Sequence, residues 1–244
     1  MSASNSNSRV VVITGGAGQL GRAVESAFAR TGSRRVVIDV DEAALHAAYP
    51  VESDDRLLTS ADLTDSESVE KAVAVAVDKF GTVDVLCNIA GGFYYGEPVH
   101  QMKMDVWRRM MDLNAVTMIN AVGVVVPLMI SGGKGTIINV GAAAHTHGQA
   151  CMSAYAAAKG AVMRLTESMA VELRKEGIGV FCVMPEIMDT PANRTDMPAA
   201  DTSSWTPPSA IAEVMVLFSQ DAAFIMTGGL FSVSGKPRVS RDVT

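Results

Sequence analysis

Tyr155 and Lys159 stand four residues apart in Tyr155-Ala-Ala-Ala-Lys159, inside a helical pattern, so both side chains share one face. A phenol is a poor acid at its reference pKa of about 10. An ammonium beside it stabilises the phenolate and draws that pKa toward the working pH, which makes the pair a candidate proton donor and acceptor. Alone, the pair is a weak pattern, better read as a half-exposed couple on a helix surface. Gly16-x-Gly18-x-x-Gly21 gives it weight, because this triplet follows an apolar run directly and opens the first helical pattern. Glycines there let the backbone approach a pyrophosphate, and the helix N-terminus supplies N–H donors and a positive dipole. Asp39, 18 residues beyond Gly21, ends the second apolar run. It can accept hydrogen bonds from a ribose diol and would repel a 2′-phosphate, so the expected cofactor is NAD(H), preferred over NADP(H). The alternative for Asp39 is a helix cap in the Asp39-Val40-Asp41 turn. Arg22, Arg34 and Arg35 could neutralise a 2′-phosphate, but are expected on solvated surface or at a strand edge.

Short apolar runs alternate with longer helical patterns along the whole chain. Strands are expected at Arg9–Thr14, Arg35–Asp39, Arg56–Thr59, Val83–Asn88, Thr136–Val140, Gly179–Met184 and Leu230–Val233. Their Val and Ile content without polar alternation suits strands buried on both faces. Helices are expected near Leu20–Thr31, Asp65–Phe80, Met104–Ile130, Ser153–Lys175 and Pro208–Ser219, with Thr64-Asp65-Ser66-Glu67 as an N-cap signal. This spacing implies βαβ units: an α/β fold with a single doubly wound, parallel, seven-stranded Rossmann-type sheet and helices on both faces. One domain over 9–244 is expected, with a disordered tail at 1–8 and an irregular substrate lid at about 186–207.

The chain has 244 residues, 48% hydrophobic and 19% charged, with a formal net charge of -6. That apolar content excludes disorder over most of the length, and no basic stripe exists to collect phosphates, so neither nucleic acid nor a membrane surface is an expected partner. The most apolar run, 115–130, is too short to span a bilayer and is interrupted by Asn120 and Pro127. Cys87, Cys151 and Cys182 are odd in number and each lies in an apolar stretch, which reads as reduced thiols in a cytoplasmic protein. No metal site is expected, since His145 and His147 have no third ligand nearby.

Nearly the full length resembles the short-chain dehydrogenase/reductase family. The resemblance rests on Thr14-Gly15-Gly16-Ala17-Gly18-Gln19-Leu20-Gly21, Asp62-Leu63, Asn88-Ile89-Ala90-Gly91, Asn114, Tyr155/Lys159 and Pro185…Asp189-Thr190-Pro191. It implies that Gly15, Gly18, Gln19, Leu20 and Gly21 hold the cofactor and that Asp62, with Leu63 beside it, binds the adenine amino group. Asn88, Ala90 and Gly91 would wall the adenine ribose and stabilise the central strand. Asn114 would anchor a water relaying protons toward Lys159, which would also hold the nicotinamide ribose, and Tyr155 would give or take the proton. Ile187 and Thr190, after Pro185, would contact the nicotinamide carboxamide.

Two departures stand out. The family's middle glycine falls on Gln19, with Gly18 one position early. The serine that usually polarises the carbonyl, thirteen residues before the tyrosine, falls on Ala142 in Gly141-Ala142-Ala143-Ala144. Losing such a donor typically costs two to three orders of magnitude in rate. Candidate substitutes are His145, Thr146, His147, Gln149 and Ser153. Residues 141–162, and the stretch from Met188 through Trp205-Thr206-Pro207, are similar to dihydropteridine reductases, which also lack that serine and reduce an electron-poor quinonoid pterin with NADH. The expected activity is hydride transfer between nicotinamide and a planar carbonyl, imine or alcohol. The alternatives are a conventional alcohol dehydrogenase or ketoreductase with a substitute for the serine, and a cofactor-binding sensor with little turnover. Phe93, Tyr94, Tyr95, Met152, Met188 and Trp205 would line an apolar substrate pocket, with Trp205 equally able to pack the lid on the body. Glu186, where the family has glycine, could contact the cofactor loop or face water. The apolar helices 104–130 and 153–175 imply a homodimer or homotetramer, as the family forms through these helices.

Overall fold

The computed structural model describes residues 8–236, apart from the side chain of His145. All but the last residue of the expected tail at 1–8 therefore lies outside the described residues. Seven strands form one sheet: β1 (Val10–Thr14), β2 (Arg34–Asp39), β3 (Arg56–Ser60), β4 (Val85–Asn88), β5 (Gly135–Val140), β6 (Ile178–Pro185) and β7 (Leu230–Val233). Their spatial order is β3-β2-β1-β4-β5-β6-β7, and every neighbouring pair is parallel. The expected doubly wound sheet is thus present.

Alternation along β1 shows how the sheet is covered. Val10 and Val12 face one core with Val36, Ile38, Ala72, Val125 and Val162, and Val11 and Ile13 face a second with Val24, Phe28, Ile211 and Phe218. The first core belongs to α3 (Ser66–Phe80), α5 (Thr117–Gly132) and α6 (Ser153–Leu173), the second to α1 (Gln19–Arg30) and α8 (Pro208–Phe218). Burial on both faces explains why the strands read as unbroken Val/Ile runs. As expected, α3 starts at an N-cap in the Thr64–Glu67 signal, with the Asp65 side chain accepting from Glu67 N, and it ends at Gly81 with φ 83°.

Three local differences from the sequence reading have physical causes. A short helix, α2 (Glu42–Ala48), follows β2; it buries only Leu45, so seven residues carry no period to read. Its cap is Asp41, which accepts from Ala44 N, so Asp39 is left for another role. β4 starts at Val85 because Asp84 Oδ2 accepts from Val10 N at 2.8 Å, a side chain standing in for a ladder bond. Third, the long fourth helix is two: α4 (Met104–Met111) and α5 are joined by a π-turn at Asp112–Val116. Together they run 29 residues at a mean hydropathy of 2.0 over their most apolar window, so length and composition alone would let the run cross a membrane. Its inward face packs on the sheet instead, with Met118, Ala121, Val125 and Met129 in the core.

The strand order reverses between β1 and β4, since β2 and β3 lie to one side and β5 to β7 to the other. α1, after β1, and α5, after β4, cover opposite faces of the sheet, and at such a switch point ligands sit in the crevice beyond the carboxyl ends of the strands.

Candidate active site

The crevice opens on the Gly-rich loop. Gly21, in the first turn of α1, packs so tightly on the turn before it that a Cβ there would lie 2.3 Å from the Gly15 carbonyl oxygen. Gly16 N donates to Ile38 O at 3.0 Å, Gly18 N to Gly15 O at 3.2 Å, and Arg22 N to Gly18 O at 2.9 Å. The first-turn N–H groups of Gln19, Leu20 and Gly21 have no intrahelical acceptor, and neither a capping side chain nor an acidic residue competes for them. That arrangement fits a pyrophosphate. It also accounts for the early glycine: Gly18 turns the chain, and Gln19 becomes the first residue of the helix with its side chain exposed.

Asp39 stands at the end of β2 with Oδ2 accepting from Ala17 N at 3.0 Å, so its carboxylate is fixed against the loop. Arg35 is not on the solvated surface. It is buried and paired with Glu25 at 3.2 Å, because the second strand runs beneath α1 where only a paired guanidinium is tolerated. Arg34 stacks over Phe80, 5.8 Å from the ring centroid, and Arg22 is exposed. Beyond β3, Asp62 is exposed and its Oδ1 accepts from both the N–H and the hydroxyl of Thr64, which holds its carboxyl below the usual range. Asn120 Nδ2 on α5 donates to Leu63 O at 2.9 Å and fixes that turn.

Thr14 Oγ1 accepts from Ile89 N and Ala90 N, at 3.0 and 3.2 Å, and so ties the turn after β4 to the end of β1. Asn88 points back into the sheet: its Nδ2 donates to Asn139 Oδ1 at 2.9 Å, and Asn139 Nδ2 donates to Thr166 Oγ1 on α6 at 2.9 Å. Gly91 then fits between two of the side chains expected in the site. A Cβ on it would lie 2.7 Å from Asn114 Oδ1 and 3.4 Å from Lys159 Nζ, so only glycine lets the chain pass. Asn114 sits in the π-turn, a distortion often found at functional sites. Its Nδ2 donates to Met110 O and Gly92 O, and its Oδ1 accepts from Gly92 N.

Lys159 is buried on α6 and donates to Val140 O at 2.8 Å, with its Nζ 6.0 Å from the centroid of the Tyr155 ring. Burial lowers the ammonium to about 8, and burial likewise pushes the Tyr155 phenol up to about 12. This direction is opposite to the expectation that Lys159 draws the phenol down, and burial is its cause. Phe93 lies edge-on to Tyr155, with centroids 5.0 Å apart, and is itself 61% exposed. The sequence-derived trio of Tyr155, Lys159 and Asn114 is therefore brought together under Phe93, at the crevice mouth.

Ala142 is buried and offers no hydroxyl. The bonds of the nearby candidates run elsewhere. Gln149 Nε2 donates to Ala144 O at 2.8 Å, Thr146 Oγ1 bonds Ala143 O and His147 Nδ1, and Ser153 Oγ lies 4.0 Å from Met102 Sδ. The His145 side chain lies outside the described residues. The loop after Gly92 is held by Gly96 N donating to Cys151 O at 2.8 Å, and by Tyr94 OH donating to Glu97 at 2.7 Å.

The expected lid, 186–207, carries more structure than its proline-rich sequence implied. Thr206 N donates to Ile187 O and Asp189 N to Thr206 O, both at 2.9 Å, closing its neck. A short helix, α7 (Pro191–Asp196), is capped by Thr190 Oγ1, and Arg194 pairs with Asp189. Trp205 is 3% exposed, so its ring is enclosed by protein rather than open to a ligand. Ile187 is 44% exposed, while Thr190 and Pro185 are buried. Glu186 is exposed and its N–H donates to Val233 O. Sequence reasoning placed Thr14 in the motif without its tie to the turn after β4, and missed the Val140 carbonyl and Tyr49. The first two act through a turn and a backbone oxygen, and Tyr49 is a lone aromatic after a helix too short to recognise.

The profile of the short chain dehydrogenase family matches residues 9–200. Cis-4-hydroxycyclohexanecarboxylate dehydrogenase of Sinomonas cyclohexanicum is 32% identical over 238 residues, covering 93% of this chain and 95% of that protein. The 2-(S)-hydroxypropyl-CoM dehydrogenase 3 of Xanthobacter autotrophicus is 30% identical over 243 residues, again covering 93% and 95%. Among solved structures, a levodione reductase superposes with a TM-score of 0.83 at 26% identity, covering 93% of this chain and 96% of that one.

The buried ammonium has a consequence for stability. A lysine whose pKa is about 8 folded and 10.5 unfolded opposes folding wherever it is charged in both states, and the penalty fades as pH rises from 8 to 10.5. Lys159→Met is expected to raise stability at pH 7 by about 1–3 kcal/mol, read by urea denaturation, with the gain shrinking toward pH 10. A variant less stable than the parent at pH 7 would contradict the burial penalty.

Proposed function

The chain belongs to the short-chain dehydrogenase family, and from that premise we propose that it interconverts ring ketones and the matching secondary alcohols, with NAD(H) as coenzyme. It is an oxidoreductase that depends on a nicotinamide cofactor. The observation that carries the reading is the junction of Tyr155, Lys159 and Asn114 around Gly91 at the mouth of a crevice suited to a pyrophosphate. A sensor would need no such proton-handling set.

In this reading Gly15, Gly18, Gln19, Leu20 and Gly21 hold the pyrophosphate, Asp39 takes the adenosine ribose diol, and Asp62 with Leu63 borders the adenine. Asn88, Ala90 and Gly91 line the ribose from β4, and Pro185, Ile187 and Thr190 meet the carboxamide end. When bound, the coenzyme supplies or accepts the hydride. Tyr155 gives its phenolic proton to the carbonyl oxygen in reduction and takes it back in oxidation. Lys159 holds positive charge beneath the phenol, and Asn114 anchors the water that returns protons to Lys159. Phe93, edge-on to Tyr155 and exposed, would border the substrate.

Ring-ketone chemistry is supported by similar proteins whose names carry a hydroxycyclohexane, a cyclohexadiene diol or a dione. Ala142 favours a second reading in which the substrate needs little polarisation, as a quinonoid dihydropterin would. Helices 104–130 and 153–175 expose Met104, Ile119, Ile130 and Val171, which supports a homodimer or homotetramer. Three free cysteines, two of them buried, fit the cytoplasm.

An NADH-oxidation panel of cyclic ketones, cyclic diones and quinonoid dihydropterin tests the reading. Turnover of the ring ketones is expected; turnover of the pterin alone would select the second reading, and turnover of none of them would remove both. On the best substrate, Tyr155→Phe is expected to lower kcat by at least about 100-fold while NADH binds within about twofold of the parent. Retained activity would remove Tyr155 as proton donor. NADPH is expected to bind at least about tenfold more weakly than NADH, because the carboxylate of Asp39 is fixed in place, and equal affinities would overturn that preference.

A further inference from the structure

Tyr49 follows α2, immediately before Pro50, and its side chain turns back under the Gly-rich loop, where it is buried. Its ring packs with Val37 and Leu45, and its hydroxyl donates to the Gly16 carbonyl at 2.8 Å. The Arg56 guanidinium lies 4.9 Å from the ring centroid. Glu25 Oε1 holds Arg56 at 3.3 Å and Arg35 at 3.2 Å, with all three side chains 13% exposed or less. One carboxylate on α1 thus keeps the buried Arg35 and the partly buried Arg56 in place, and Arg56 backs the ring.

The loop is consequently gripped from three directions. Gly16 N donates to Ile38 O, Ala17 N to Asp39 Oδ2, and Gly16 O accepts from Tyr49. Residues 16 and 17 have therefore spent their N–H groups on the protein. A bound pyrophosphate is left to the first-turn N–H groups of Gln19, Leu20 and Gly21, whose aim depends on where residues 16–18 sit. Burial, reinforced by the charge of Glu25, holds the Tyr49 phenol well above its usual range, so it remains a donor at any working pH.

We propose that Tyr49 is a positioning residue for the coenzyme: braced by Arg56 and Glu25, it fixes the Gly16 carbonyl and thereby aims the first turn of α1 at the pyrophosphate. This role rests on the coenzyme reading above. It lies on the β2–β3 side of the crevice, and Tyr155 and Lys159 lie on α6 against β5 and β6, so coenzyme affinity should respond and the chemical step should not.

The test uses the full chain and two ligands, NADH and ADP-ribose, the latter lacking nicotinamide. Tyr49→Phe keeps the ring and loses one hydrogen bond. It is expected to raise the Kd of both ligands by the same factor, about three- to tenfold, with kcat within about twofold. Arg56→Lys, which keeps a cation against the ring and the carboxylate, is expected to bind as the parent does, whereas Arg56→Met shares the defect of Tyr49→Phe. Unchanged Kd values in Tyr49→Phe, even with a lowered Tm, would overturn the role and leave a purely structural one. A fall in kcat at unchanged Kd would also overturn it. If the parent binds neither ligand, the coenzyme reading itself fails and this role with it.

Discussion

An ammonium buried under the carboxyl ends of the central strands is the constraint on which the site depends. Lys159 is almost wholly enclosed, and among the described residues it donates to one carbonyl, Val140 O. A charge held there costs free energy that an apolar side chain would not, so burial lowers its pKa to about 8. The sequence around it is arranged to admit that charge. Gly91 leaves space for both Nζ and the Asn114 carboxamide, and the π-turn points Asn114 inward. Small residues at 141–144 let the turn after β5 lie close against Cys182, Met163 and Met184.

In the proposed reading, the rest of the fold brings the coenzyme to that charge. Reversal of strand order between β1 and β4 opens the crevice, and Thr14 and Asn114 pin the turn after β4 from opposite sides. The Gly-rich loop on one side and the neck of the lid on the other are each held by main-chain bonds to the sheet or within the segment. In the proposed reading, activity and stability pull in opposite directions at Lys159, a familiar pattern where a charge is desolvated at a functional site.

Much of this was legible in the sequence, for identifiable reasons. Strands buried on both faces leave unbroken Val/Ile runs, so all seven emerged within a residue or two, and the Asp65 cap was marked by its own side chain. Tyr155, Lys159, Asn114 and the glycines carry their chemistry in residue type and spacing. The unread parts depend on tertiary contacts. Nothing local reveals that Arg35 is paired beneath α1, that Trp205 packs inward, or that Tyr49 reaches back to Gly16. The direction of the Tyr155 shift was misjudged because spacing shows that an ammonium is near, while only the folded chain shows how dry the pocket is.

The central claim is that a charged Lys159, poised near pH 8, supports proton donation by Tyr155. The dependence of the single-turnover rate of NADH-driven ketone reduction on pH tests it most directly. Charge on Lys159 is complete below about 8 and is lost above it, while the Tyr155 phenol keeps its proton to about 12. The rate should therefore be level at neutral pH and fall about tenfold per unit above a break near 8. A rate that stays level to pH 10 would contradict the account.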